Sequence, residues 1–215
     1  LLDVAESLVA GEGPDRLTVR GLSAAAGVTN GTIYHAFGSV GSLLGEVWLR
    51  AGTDFLRLQR ELVDQALGPV PDPDFGTVVG AVVAAADAPV VFADRRPAAA
   101  RMLLTVKRDR LLGPDLPADL AGALIDLDKS VVSLLTRLAE LLWGRRDGAA
   151  VEVLTTCVLD LPTALFRRAL TGPLADGAAA VGAEARERLA AAVRAVLTLP
   201  LPERPARRRP FMDKD

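Results

Sequence analysis

The chain has 215 residues, half of them apolar, a formal net charge of −2 and only 4% aromatic residues. That is ample for a buried core in one or two domains, with Leu, Val and Ala doing most of the packing, a bias that favours helices. One His and one Cys exclude zinc sites of the usual spacing and an internal disulfide, and no sustained period-two run argues for strands.

Leu1, Val4, Ala5 and Leu8 fall on one face of a first helix, stopped by Gly11, Gly13 and Pro14. Thr18 is a good N-cap for a second helix, with Leu17 and Leu22 placed as a hydrophobic staple, and Gly27 ends it. Thr29 repeats that grammar for a short third helix, Val28 stapling to Ile33, which ends near Phe37 and Gly38. Ser39 caps a fourth helix over about 39–66. Pro69, Pro71 and Pro73 make residues 68–74 a connector. A fifth helix is predicted over about 75–87, a short piece around 90–93, and another helix over about 97–110 with Pro97 at its first position. Gly113, Pro114 and Pro117 break the chain again. Two long helices follow, about 118–143 with a wide leucine stripe and about 149–170 with a kink expected at Pro162. Gly172 and Pro173 end the second, a last helix covers about 183–199, and the tail from Pro200 is rich in Pro and Arg, with Arg204 and Arg207–Arg209. The first helix carries Asp3 and Glu6 and lacks a basic region typical of a signal peptide. No uncharged apolar run approaches the ~20 residues that cross a bilayer. With the lone Cys157, read as a small core residue, these features predict a cytoplasmic protein.

Residues 17–44 carry the function. Two short helices meet at a tight turn at Gly27, and the second has two faces: Ile33 and Phe37 point inward, while Gly31, Tyr34 and His35 share the outer side with Asn30 and Thr32 at its exposed start. A helix-turn-helix works this way, its second helix entering the major groove with its N-terminal residues on base edges. The residue types suit the task. Thr18 marks a helix N-terminus that attracts phosphate, and Arg20 reaches phosphate or a guanine edge. Asn30 pairs with adenine, Thr32 offers a hydroxyl and a methyl, and Tyr34 and His35 can donate to phosphate. Although the whole chain is slightly acidic, between Arg16 and Ala51 the only acid is Glu46.

The segment resembles the DNA-binding domain of the tetracycline-repressor-like (TetR) family. The resemblance is carried by Thr18, Arg20, Leu22, Ala26, Gly27, Val28, Thr29, Thr32, Ile33, Tyr34, Phe37, Ser39 and Leu43, and with the first helix it covers about 45 residues. It departs at Val40, where the family usually has a phosphate-contacting Lys, and at Ala36, where it often has His or Tyr. The resemblance implies an all-α fold, with a helix-turn-helix domain over 1–45, a ligand-binding and dimerisation domain over 46–200 and a tail over 201–215. It implies DNA contacts from Thr18, Arg20, Thr29, Asn30, Gly31, Thr32, Tyr34 and His35. Phe92, Met102 and Leu103 fall where the family builds its ligand cavity, and Trp143 and Phe166 are further candidates, core packing being the alternative for all five. The expected protein is a homodimeric repressor released from a palindromic operator by an apolar or amphipathic small molecule. The alternatives are a ligand-independent regulator acting through a protein partner, and a dimerisation protein with a degenerate head. No phosphate loop, nucleophile elbow or metal cluster suggests an enzyme or a cofactor.

Overall fold

Three small side chains set the N-terminal architecture. Thr18, Thr29 and Ser39 each sit in extended backbone and accept the N–H of the residue three ahead, Gly21 at 3.0 Å, Thr32 at 3.2 Å and Ser42 at 3.0 Å. The caps start α2 (Val19–Ala26), α3 (Asn30–Phe37) and α4 (Val40–Leu67), behind α1 (Leu2–Glu12). Gly27 closes α2 with a left-handed φ of 66°, which a side chain would strain, and Ser23 Oγ donates to the Val28 carbonyl at 2.5 Å across the turn. Ala5, Val9, Leu17, Val19, Leu22, Ile33, Leu43 and Val47 form the core under these helices.

The computed structural model describes residues 1–13, 17–106, 116–171 and 181–203. The predicted breaks at Pro14, Gly113–Pro114 and Gly172–Pro173 and the Arg-rich tail from Arg204 lie outside them, whereas the helix predicted over 97–110 ends earlier, at Thr105, where Val106 turns to extended backbone. Every described element is helical. The order continues with α5 (Phe75–Arg95), α6 (Pro97–Thr105), α7 (Ala118–Trp143), α8 (Gly148–Thr155), a π turn (Thr156–Asp160), α9 (Leu161–Thr171) and α10 (Ala183–Thr198). The fold is all-α, an N-terminal helix-turn-helix head followed by a larger helical body. The 28-residue α4 runs from one to the other, about 42 Å at 1.5 Å per residue.

Two prolines behave differently from expectation. The helix predicted over 75–87 does not stop before the piece at 90–93: α5 runs unbroken through Pro89 to Arg95. Pro89 lacks the N–H that the Ala85 carbonyl would normally accept. Gln59 Nε2, from α4, donates to that carbonyl instead at 2.9 Å in a buried contact. The kink expected at Pro162 is a π turn, in which the Leu161 N–H reaches back five residues to the Thr156 carbonyl. The wider turn takes up the proline ring without ending the helical course.

By length and hydropathy, Phe75–Arg95 and Gly148–Thr171 are both long and apolar enough to cross a membrane. Asp87 interrupts the first, with Asp94 and Arg95 at its end, and Glu152 and Asp160 interrupt the second, with Arg167 and Arg168 near its end. Half of the apolar window of Phe75–Arg95 is buried, between α4 and α10. Gly148–Thr171 leaves more of its apolar surface open, with Leu159 and Leu165 exposed. On α7, Ile125, Val132 and Leu141 are exposed as well.

Candidate nucleic-acid interface and body cavity

The second helix of the motif is built to show one side. Ile33 is buried and Phe37 half-buried, and these two hold α3 against the head core. Asn30, Gly31, Thr32, Tyr34, His35 and Ala36 are all exposed, Tyr34 at 55%. Thr29 Oγ1 and Thr32 Oγ1 lie 3.0 Å apart, so the two hydroxyls fix each other at the helix start. A Cβ on Gly31 would meet only the Thr29 hydroxyl, at 3.7 Å, and the outer side of the helix start is open. Thr18 and Arg20 are exposed at the beginning of α2. The eight residues singled out as DNA contacts therefore lie on two adjacent helix N-terminal regions and along the exposed side of α3.

The cationic character of this surface rests on few groups. Arg50, the next basic residue after Arg20 apart from His35, is turned away from it. Its guanidinium pairs with Asp3 at 2.7 Å and with Glu6 at 2.9 Å. Burial works against the Arg50 charge, but these carboxylates outweigh it and its pKa is raised. Glu6, its side chain 8% exposed, also takes Arg96 Nη2 at 2.8 Å, and Arg96 Nη1 bonds Asp54. This buried network ties α1 of the head to α4 and to the start of α6. Nothing in the sequence pattern singled it out, because its members are 44 and 90 residues apart.

A cavity of about 290 Å³ lies in the body between α4, α5, α6, α7 and the π turn with the start of α9. Its wall is mostly apolar. Trp48 and Phe55 come from α4, Phe92 from α5, and Leu103 and Leu104 from α6. Phe55 and Phe92 meet edge to face with centroids 5.5 Å apart. Three polar side chains reach it, Gln59, Asp128 and Thr163. Both helix irregularities border it, through Pro89 on one side and Val158, Leu159 and Pro162 on the other.

Of the five residues expected at a ligand cavity, Phe92 and Leu103 line this one. Met102 and Phe166 do not: both are fully buried core residues. Trp143 does not either, since it ends α7, twelve residues beyond the last α7 lining residue, Val131, or about 18 Å along the helix. Trp48, Phe55 and Gln59 were missed. The signal was present, as the three fall at helical spacing on the apolar stripe of α4 and Gln59 is a lone amide within it. Cys157 is buried with its thiol pushed up to about 11 by burial, as suits a core residue.

Two short capped helices at a tight turn, with the second one bare on its outer side, above a helical body, define a helix-turn-helix DNA-binding transcriptional regulator. Comparison with known proteins gives the family. Residues 1–47 match the family model described as bacterial regulatory proteins, tetR family. The chain superposes on a TetR-family transcriptional regulator, PfmR from Thermus thermophilus, with a TM-score of 0.55, 17% identity, and 91% of this chain and 96% of that chain covered. A protein of Saccharomonospora viridis described as a transcriptional regulator, in complex with choline, gives 0.58, 16%, 94% and 96%. The superantigen PfiT shares the fold at 0.60, 20%, 90% and 92%. Comparison with curated proteins gives no match. Residues 1–47 thus carry the family's DNA-binding domain, and the chain has the fold of TetR-family structures.

Proposed function

We propose that this regulator represses transcription as a homodimer on a palindromic operator and is released by a small molecule bound in the body cavity. The observation that carries the reading is the joint use of two helices. α4 and α6 both line the cavity, and the same two helices hold the head, α4 by continuity from Ser39 and α6 through Arg96 to Glu6. A ligand that binds more tightly to an arrangement with α4 and α6 displaced shifts the population toward it and moves the heads out of register with DNA.

In this reading residues 1–45 form the reading head and 46–200 the sensing and pairing body, in the cytoplasm where the chromosome is reached. Thr18, Thr29, Thr32, Tyr34 and His35 hold the DNA backbone, and Arg20, Asn30 and Gly31 face bases or neighbouring phosphates. The exposed Ile125 and Val132, one face of α7 at i, i+7, with Leu159 and Leu165 on the second long helical stretch, supply the apolar surface for a two-fold four-helix interface. Two-fold pairing would set the recognition helices one DNA turn apart, about 34–36 Å.

The test is binding of the purified protein to the DNA upstream of its own gene at two salt concentrations, against a scrambled duplex. Specific, salt-sensitive binding is expected, with a shallow slope because Val40 replaces a phosphate-binding Lys. Equal weak binding to both duplexes would support the alternative of a protein that keeps the head as scaffold.

A further inference from the structure

We infer that the body cavity selects an apolar chain ending in a hydrogen-bond donor, a hydroxyl or an ammonium group, and disfavours carboxylates. The inference rests on the cavity being the effector site proposed above, and it comes from Gln59. That side chain is 4% exposed and lines the cavity. Its orientation is fixed chemically. The Ala85 carbonyl, deprived of a partner by Pro89, accepts from Nε2, and the flipped amide would set two acceptor oxygens against each other. Oε1 is left with no protein partner and is not sealed from the cavity. A buried amide oxygen in an apolar pocket calls for a donor, and a ligand that brings only acceptors leaves it unsatisfied.

Two donors share the wall, but Trp48 Nε1, though without a partner, is sealed from the cavity, and the Thr163 hydroxyl can accept as well as donate. Asp128, itself engaged within the protein, adds a carboxylate, and among the described lining residues there is no Lys or Arg to neutralise an anionic head. Trp48, Phe55 and Phe92 offer ring surface to an alkyl chain, and ring faces favour a cation over an anion. The 290 Å³ volume, near the lower end of small-molecule sites, suits a chain of moderate length.

The experiment is calorimetric titration of the full chain with four matched ligands: 1-decanol, decylamine, decanoate and 2-decanone. Decanol and decylamine should bind about tenfold or more tightly than decanone and decanoate. Gln59→Leu should abolish that preference, bringing decanol and decanone to similar affinity as the penalty on the ketone is removed. Asp128→Asn should weaken decylamine alone if the head is an ammonium, and should leave the order intact if it is a hydroxyl. Should Gln59→Leu fail to fold, the double variant Gln59→Leu/Pro89→Ala returns an N–H to Ala85 and serves in its place. Equal or tighter binding of decanoate or decanone, survival of the preference without Gln59, or binding of none of the four would overturn the inference. Operator release is read separately. Selective binding without release would sink the effector reading and leave this one standing, and release by decanoate would do the reverse.

Discussion

Replacing Glu6 by Gln should destabilise the protein far more than its size suggests. The Glu6 side chain is 8% exposed and accepts from both Arg50 and Arg96, each about 30% exposed. Removing one partner of a buried ion pair costs about 3–5 kcal/mol, because the remaining charge is left uncompensated. Here water reaches part of both guanidiniums, and Asp3 and Asp54 still take one each, so a loss of about 2–3 kcal/mol is expected. At roughly 2–4 °C per kcal/mol for a chain of this size, the midpoint of thermal unfolding should fall by about 5–10 °C. The internal control is Asp3→Asn. Asp3 pairs with the same Arg50 at 2.7 Å but is 86% exposed, and its loss should cost less than about 1 kcal/mol. Circular-dichroism melts at low and high salt separate the two, since screening weakens the exposed pair and barely touches the buried one. If both substitutions lower the midpoint equally, or if Glu6→Gln lowers it by less than a degree or so, the claim that Glu6 locks head to body is wrong.

Three further outcomes follow from the same geometry. Arg20→Ala should lower operator affinity by about 1–3 kcal/mol and relax discrimination at one base position if the side chain reads a base, measured by gel shift against a panel of point-substituted operators. Gln59→Leu should destabilise by about 1–3 kcal/mol by orphaning the Ala85 carbonyl, and adding Pro89→Ala should recover most of that in urea unfolding, whereas a simple packing defect would make the double variant worse. Asp147, which caps α8 and is held by Arg145 at 2.7 Å, has its carboxyl well below the usual carboxylate range, through the Arg145 hydrogen bond first. Its folded value is depressed, so its contribution is present above the ordinary 3.8 and is lost as pH falls below that toward the folded value. Asp147→Asn should therefore lower stability at pH 7 and flatten the acid limb of the stability profile, and an unchanged limb would remove Asp147 from the account.

Local chemistry made the head legible. Thr18, Thr29 and Ser39 cap their helices through bonds three residues long, and Gly27 turns the chain by its own φ, so each assignment needs nothing from elsewhere in the sequence. The span of α7 was readable for a related reason, since its leucine stripe is long and uninterrupted. What was not legible depends on distant partners or on helical phase. A helix through Pro89 contradicts the local rule, and it stands because Gln59, thirty residues earlier, fills the vacant carbonyl. Met102 and Leu103 are neighbours of equal apolar character, yet a helix turns each residue about 100° from the last, so one joins the core and the other the cavity. On α9 Pro162 and Phe166 share a face at i, i+4, and it is the extra turn along the helix that takes Phe166 past the cavity and into the core.

The departures from regular helix gather at one place. Pro89, the π turn before Pro162 and Gly52 all border the cavity, while within the other described helices of the body the course is regular. Gly52 belongs to this group because a Cβ there would come within 2.9 Å of Leu127 Cδ1, so the Leu127 side chain of α7 occupies the space that a side chain on α4 would need. Gly45, two helical turns earlier, meets Leu120 Cδ2 at 3.0 Å in the same way. α7 is thus seated on α4 along a glycine track that begins five residues into α4 and passes the cavity wall. A chain that keeps local propensity, pattern and capping in agreement nearly everywhere breaks them at the cavity proposed as the effector site. The same helix serves both ends: its N-terminus is fixed by the Ser39 cap directly after α3, and its middle faces the cavity at Trp48, Gly52, Phe55 and Gln59. With no break between Val40 and Leu67, α4 is a continuous link from the cavity wall to the end of α3, which is what the proposed release would need.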